Sequence, residues 1–405
     1  MVTHLTCLLV TVSDRISDLI LKGEIVARYY NPGELFDEVH ILMTNDDKPD
    51  KESLQKTVGR AKLYLHNLPS PLFLRTFGWQ PLMIKKWVAS GIQMAREIRP
   101  SLVRAYGNQH INGFLAAQIK QQLNVPMIVS LHANPDVDMR GITCSNPNKQ
   151  ILMDIKLYLY YQRMIFFENE TLKMADFVLP VYDAPKGYAI KHGARRVKVC
   201  YNVVNPEALK IKDSYSLHNP PRIILVGRQH PCKNPENLIC AFSRIPDIQL
   251  TIVGDGELHN YLVNLVKNYN ISDRVEFIRA IPNDQFCQSL PEYDIFAVQN
   301  EYWGISKTVI EALLTGLPIV HNIRKGEQVH EFNKEFMCLV ENTVDGYYNA
   351  LRKMLTDHSY REQLGRNGYS HAHALWSPEK TEAAYVEIYR QVLSEYKQRN
   401  EPQKL

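Results

Sequence analysis

Two cations follow one apolar run, five residues apart: Arg228 and Lys233 in Gly227-Arg228-Gln229-His230-Pro231-Cys232-Lys233. The run before them, Arg222–Val226, reads as a strand buried on both faces, and 234–245 reads as a helix. A planar guanidinium and a compact ammonium at one strand end suit a leaving group that gains negative charge, such as a diphosphate. Taken alone, the same loop also reads as solvated basic surface. A second stretch, 300–320, bears on the choice. Trp303-Gly304-Ile305-Ser306 is a short loop with Ser306 in the N-cap position of a helix over 307–315. Gly316 stops that helix and Leu317-Pro318-Ile319-Val320 starts a strand. Gly304, Ser306, Lys307 and Thr308 offer backbone N–H groups at a helix N-terminus, which is an anion site. Glu311 stands among Val309, Ile310, Ala312, Leu313 and Leu314, where a carboxylate needs partners. A diphosphate at the helix start with ribose hydroxyls on Glu311 accounts for both features. An internal ion pair accounts for the carboxylate alone.

The stretch from Gly304 to Pro318, with Gly227-Arg228-(four residues)-Lys233, resembles the nucleotide-sugar signature of the family 4 glycosyltransferases, retaining enzymes of the GT-B fold. In that signature a Glu is followed, after seven residues, by a second Glu. Glu311 matches the second, and Trp303 stands where the first would be. The resemblance implies that Arg228 and Lys233 stabilise the leaving diphosphate and that Glu311 holds the ribose. It implies that Arg279-Ala280 passes the nucleotide base with backbone groups. It places His132 near the donor sugar, although Ala133 replaces a glycine. Asn108, Lys22 and Gly23 would lie on the first-domain rim, toward the acceptor or sugar, and Arg324 and Lys325 would face the donor phosphate. A tryptophan offers a flat apolar face and one donor, and it accepts nothing from sugar hydroxyls. Trp303 is therefore expected to shape the donor-sugar pocket, with Glu301, two positions earlier, as a substitute carboxylate.

Gly254-Asp255-Gly256 has His259 where a dinucleotide fingerprint needs glycine, so it is not a dinucleotide site. The resemblance makes it a structural turn. Asp46-Asp47 reads as solvated charge in a polar loop, and no metal site is expected. No cofactor is expected either, since the nucleoside-diphosphate sugar is a co-substrate.

Strands and helices alternate along the whole chain, which implies right-handed βαβ units and parallel sheets. Strands are expected at 5–12, Glu38–Met43, Leu102–Tyr106, 125–131, 177–181 and 197–201, then at Arg222–Val226, Gln249–Val253, Val275–Ile278 and Ile295–Val298. Residues 13–23 read as a polar loop, 24–30 as helical and 44–72 as weakly patterned. The Asn219-Pro220-Pro221 break suggests domains at 1–207 and 208–377, with a terminal helix, 378–405, returning to the first domain. The fold class expected is α/β, GT-B: two doubly wound Rossmann-like domains facing a central cleft.

The chain has 405 residues, 45% hydrophobic and 22% charged, with net charge +4. That suits two globular domains and gives no sign of the concentrated basic face of a nucleic-acid binder. Cys7, Cys144, Cys200, Cys232, Cys240, Cys287 and Cys338 form no C-x-x-C pair, which reads as free thiols in a reducing, cytoplasmic setting. No apolar run reaches spanning length, and peripheral contact with a membrane stays open. The function expected is transfer of a sugar from a nucleoside-diphosphate sugar to a glycan, lipid-linked or small-molecule acceptor, with retention and without metal. Two rivals stand beside it: a catalytically silent nucleotide-sugar-binding protein and a GT-B sugar-nucleotide epimerase.

Overall fold

The computed structural model describes residues 6–71, 81–106, 111–132, 134, 150–301, 304–324 and 329–400, with backbone alone over 150–161 and at 400. The chain divides into two compact units. The first holds Met1–Leu21, Ile25–Val203 and Thr381–Leu405, and the second holds Lys22–Glu24 and Val204–Lys380.

In the first unit the elements run β1 (Cys7–Val12), α1 (Ile16–Leu21), β2 (Glu38–Met43), α2 (Lys51–Gln55), β3 (Lys62–Asn67), α3 (Pro81–Ile98), β4 (Leu102–Tyr106), α4 (Ile111–Leu123), β5 (Met127–Leu131), α5 (Gln150–Met174), β6 (Phe177–Pro180) and α6 (Pro185–Lys191). The strands form one parallel sheet in the order β3-β2-β1-β4-β5-β6. Every residue of β1 is buried, as a central parallel strand covered on both faces requires. The last helix, α13 (Pro378–Asn400), packs Tyr385, Ile388, Tyr389 and Val392 into the same core as Leu8 and Val10.

The second unit repeats the pattern with β7 (Arg222–Val226), α7 (Glu236–Ser243), β8 (Gln249–Val253), α8 (His259–Asn268), β9 (Val275–Ile278), α9 (Asn283–Ser289), β10 (Ile295–Val298), α10 (Lys307–Leu314), β11 (Ile319–Ile323), β12 (Cys338–Glu341), α11 (Val344–Thr356) and α12 (His358–Trp376). Its sheet order, β12-β11-β10-β7-β8-β9, is the same doubly wound order read from the other edge. Each sheet therefore reverses direction beside its first strand, at β1/β4 and at β7/β10. Ligands of such sheets bind beyond the strand ends at that reversal.

Several expectations need correction. Residues 13–23 contain α1, whose Ile16, Leu19 and Ile20 face inward at helical spacing. Residues 24–30 are not helical: Arg28 has φ +56° and the carbonyls of Lys56 and Thr57 take the N–H groups of Arg28 and Tyr30. Residues 44–72 hold the edge strand β3, half exposed and therefore poor in apolar signal. Residues 197–201 form no strand; Val197 makes a single bridge to Val178. Asp47 is not solvated: it is buried and accepts from the Ser17 N–H (2.9 Å) and hydroxyl (2.6 Å), holding the start of α1. The described cysteines are free thiols.

Buried imidazoles make both units acid-sensitive. His40 Nδ1 lies 2.9 Å from His66 Nε2, and burial, then His66, pushes His40 down to about 4. His321 on β11 is fully buried and donates from Nδ1 to the Asn322 carbonyl at 2.7 Å, and burial pushes it too down to about 4. Between the ordinary 6.5 and about 4, the unfolded chain takes up protons that the folded chain refuses. Stability should therefore rise with pH across that window and level off above it. For His321 alone the change is about 3 kcal/mol. Thermal melts across the window check this, and His321→Asn should flatten the dependence. Melting that ignores pH would refute it.

Candidate functional site

The reversal of the second sheet gathers most of the residues singled out above. From β7 the chain leaves as Gly227–His230 and turns through a short 3-10 helix, Pro231–Lys233. The His230 imidazole caps that turn by accepting the Cys232 N–H at 3.4 Å. Gln229, which the sequence reading passed over, rivets the loop to the turn after β8. Its N–H donates to the Asp255 carbonyl (2.9 Å), its Nε2 to the Gly254 carbonyl (2.7 Å), and its Oε1 sits 2.9 Å from His259 Nδ1. Gly254 has φ +139°, and a Cβ there would come within 2.0 Å of the Gly227 carbonyl oxygen. Only glycine admits that approach. So Gly254-Asp255-Gly256 is the seat on which the Arg228 loop rests.

Arg228 is exposed and Lys233 partly buried. Burial, and then the Arg228 charge, lowers the Lys233 ammonium pKa. Arg279 follows β9 and pairs with Asp255 at 3.2 Å, with Ala280 exposed beside it.

Beyond β10, the Glu301 N–H donates to the Cys232 carbonyl at 2.9 Å, tying this loop to the cation loop. Glu301 Oε1 accepts from Gln299 (3.2 Å), Asn322 (3.2 Å) and Asn342 (2.8 Å). A carboxylate oxygen with three amide donors is fixed in place. Gly304 is buried, and Ser306 takes the N-cap backbone conformation of α10. Its hydroxyl makes no capping bond and lies 3.2 Å from Thr308 Oγ1.

One turn on, Glu311 is 0% exposed. Its Oε1 accepts from Asn283 Nδ2 at 2.9 Å and lies 3.7 Å from Lys307 Nζ. Its Oε2 has no hydrogen-bond partner among the described residues. Burial raises its pKa, against the pull of Lys307 and of hydrogen bonds from Asn283 and the Cys287 thiol. The internal ion pair is thus with Lys307, and Oε2 is left with no nitrogen or oxygen donor among the described residues. Asn283 also takes the place expected of a rim residue: its N–H donates to the Lys22 carbonyl at 2.7 Å. Lys22 and Gly23 therefore count with the second unit, beside Glu311, and not with the first-domain rim. Gly23, at φ +64°, allows the close fit, since a Cβ would meet Asp284 Oδ1 at 2.5 Å.

Arg324 follows β11 at the same edge, partly buried. Asn108, Trp303 and Lys325 lie outside the described residues. His132 belongs to the first unit, just after β5, and is solvent-exposed. Among the described residues, no group of three His, Cys, Asp or Glu could hold a metal ion.

Residues 208–371 match the family model for glycosyl transferases group 1. That match falls inside the second unit. Over 198 residues the chain is 25% identical to the lipopolysaccharide core biosynthesis glycosyltransferase LpsE of Rhizobium meliloti, covering 48% of this chain and 58% of that one. It is 32% identical over 206 residues to an Escherichia coli UDP-Gal:alpha-D-GlcNAc-diphosphoundecaprenol alpha-1,3-galactosyltransferase, covering 48% and 51%. The chain thus spans about half the length of these two relatives. Among solved structures, sucrose-phosphate synthase from Thermosynechococcus elongatus aligns with TM-score 0.72 and 17% identity, over 96% of this chain and 100% of that one. HepE of Anabaena, in complex with UDP, aligns with TM-score 0.70 and 16% identity, over 95% and 100%. With the two six-stranded parallel sheets, this likeness shows the GT-B fold.

Proposed function

We propose that the chain is a retaining group 1 glycosyltransferase that moves a sugar from a nucleoside-diphosphate sugar to a saccharide acceptor, lipid-linked in the first instance. The observation that carries this reading is the Arg228–Lys233 loop, fixed at the sheet reversal beside the N-terminus of α10 and the spare acceptor of Glu311. In the proposed reaction the bond from the anomeric carbon to the diphosphate oxygen breaks, and its electron pair goes to the diphosphate. Arg228 and Lys233 stabilise that charge in place of a metal ion. The acceptor hydroxyl attacks the same face and gives its proton to the departing phosphate oxygen. Glu311 holds the ribose through Oε2, Arg279 and Ala280 flank the base, and Ser306, Lys307 and Thr308 line the phosphate end.

The relatives' names support the substrates: one uses UDP-Gal on a diphosphoundecaprenol-linked sugar, and HepE holds UDP. A uridine nucleotide is therefore the first donor to test, and a cytoplasmic setting at a membrane surface fits both substrates. Release of nucleoside diphosphate from a panel of nucleotide sugars, with acceptor and EDTA present, tests the reading. Turnover that needs added manganese would overturn the metal-independent part. Turnover without acceptor that yields an epimerised donor would favour an epimerase.

Glu311→Gln keeps the shape and removes the charge. It should weaken nucleoside diphosphate binding by roughly 1–3 kcal/mol, the scale of a lost hydrogen bond to a charged group. Calorimetry showing equal affinity would take Glu311 out of the site. Trp303 favours one second reading, a binding protein without turnover. Wild type inactive on every donor, with activity gained in Trp303→Glu, would select it.

A further inference from the structure

We infer that the outward face at the start of α3 is a docking surface for an anionic phospholipid bilayer. Ile84, Trp87, Val88, Gly91 and Ala95 bury the inner face of this helix, and Trp87 Nε1 anchors it through the Leu68 and Pro69 carbonyls, both at 3.2 Å. The opposite face should be polar. Instead Leu82 is 77% exposed and Met83 45%, side by side. Lys85 and Lys86 follow within one turn, both exposed. Leu82 and Lys86 are neighbours on the helix surface.

Exposed apolar side chains followed within a turn by lysines at a helix start suit an interfacial anchor. The apolar groups enter the acyl boundary, and the ammonium groups meet lipid phosphates. Charge supports this occupant over a second protein. Glu97, near the far end of α3, is the only acidic residue between Ser53 and Pro135, although the whole chain is nearly balanced at 47 basic to 43 acidic. No described helix is long and apolar enough to cross a membrane, so the contact would lie in the interface. The inference does not rest on the transfer reaction, and its test needs no turnover.

The full chain should co-sediment with vesicles of phosphatidylcholine and phosphatidylglycerol, weakly with phosphatidylcholine alone, and less as salt rises. Lys85→Glu with Lys86→Glu should lower partitioning by about tenfold or more, and Leu82→Gln should lower it further. Lys267→Glu with Lys334→Glu, exposed lysines of the second unit, should leave it within about twofold if each lysine acts only near the surface. Circular dichroism melts confirm that each variant is folded. Equal binding to both vesicle types, or equal loss in the control pair, would overturn the inference. So would light scattering showing that the α3 variants only convert a dimer to monomer, which would assign the face to a second copy.

Discussion

Lys233→Ala should lower turnover by about 10²–10³-fold, the range for removing one preorganised donor from a developing oxyanion. Lys233 sits in the turn that His230 caps, with its own N–H on the His230 carbonyl at 2.7 Å. The backbone therefore positions it without help from the side chain, and the variant should melt close to wild type. Burial first, and the Arg228 charge second, make its ammonium costly, as the lowered pKa records. That cost is recovered when negative charge builds on the diphosphate, which is the condition for acting on the transition state more than on the ground state. Turnover should thus fall more than nucleoside diphosphate affinity does. Arg228→Lys should not restore the wild-type rate, because an ammonium lacks the two-pronged fork. The double variant should lose less than the product of the single losses, since both groups meet one charge. If Lys233→Ala and Arg228→Ala each kept turnover within about threefold of wild type, far short of a lost oxyanion donor, leaving-group stabilisation would have to come from elsewhere.

The strands that position this loop were legible because central parallel strands are continuous apolar runs. β7, β8 and β10, inner strands of the second sheet, lie where expected, residue for residue, and so does the edge strand β9. Two of the edge strands, β3 and β12, were not legible. β3 alternates Lys62, Leu63 and Tyr64 with only Leu63 buried among them, and β12 is four residues long. Their pairing is set by a neighbour's open edge, which no local pattern announces. The same limit applies to the site. Arg228, Lys233 and Glu311 stood out because charge among apolar neighbours is conspicuous. Gln229 and Asn283 did not, because an amide in a loop or at a helix start looks like ordinary turn chemistry. Their importance lies in contacts across 25 and 28 residues. Lys22 and Gly23 were legible as part of a polar loop over 13–23, but neither α1 within it nor their attachment to Asn283, which depends on tertiary docking, was.

Gly254→Ala should cost about 2–4 kcal/mol of stability, the sum of a strained backbone and a forced close contact, and should also lower turnover by more than tenfold. The first loss follows from the geometry of the turn: with φ at +139°, the new methyl would lie 2.0 Å from the Gly227 oxygen and 2.9 Å from its carbon. Those atoms are backbone, and they cannot rotate away. The second loss follows from what the backbone carries. Gly227 N–H bonds the Val253 carbonyl at 3.0 Å, and Gln229 bonds the Asp255 and Gly254 carbonyls, so a methyl that lifts Gly227 lifts Arg228 with it. A displacement of about 1 Å at a positioned charge is enough for a hundredfold loss. Gly316→Ala separates the two effects. Gly316 also has a positive φ, +80°, but its Cβ would meet Tyr215 Oη at 3.0 Å, away from the cation loop. That variant should lose stability and keep its turnover at temperatures where it is folded. Melting curves and rates for the two variants decide the matter. If Gly254→Ala lost stability alone, with turnover matching Gly316→Ala, the turn would be a folding element only and the seat assigned to the Arg228 loop would be wrong.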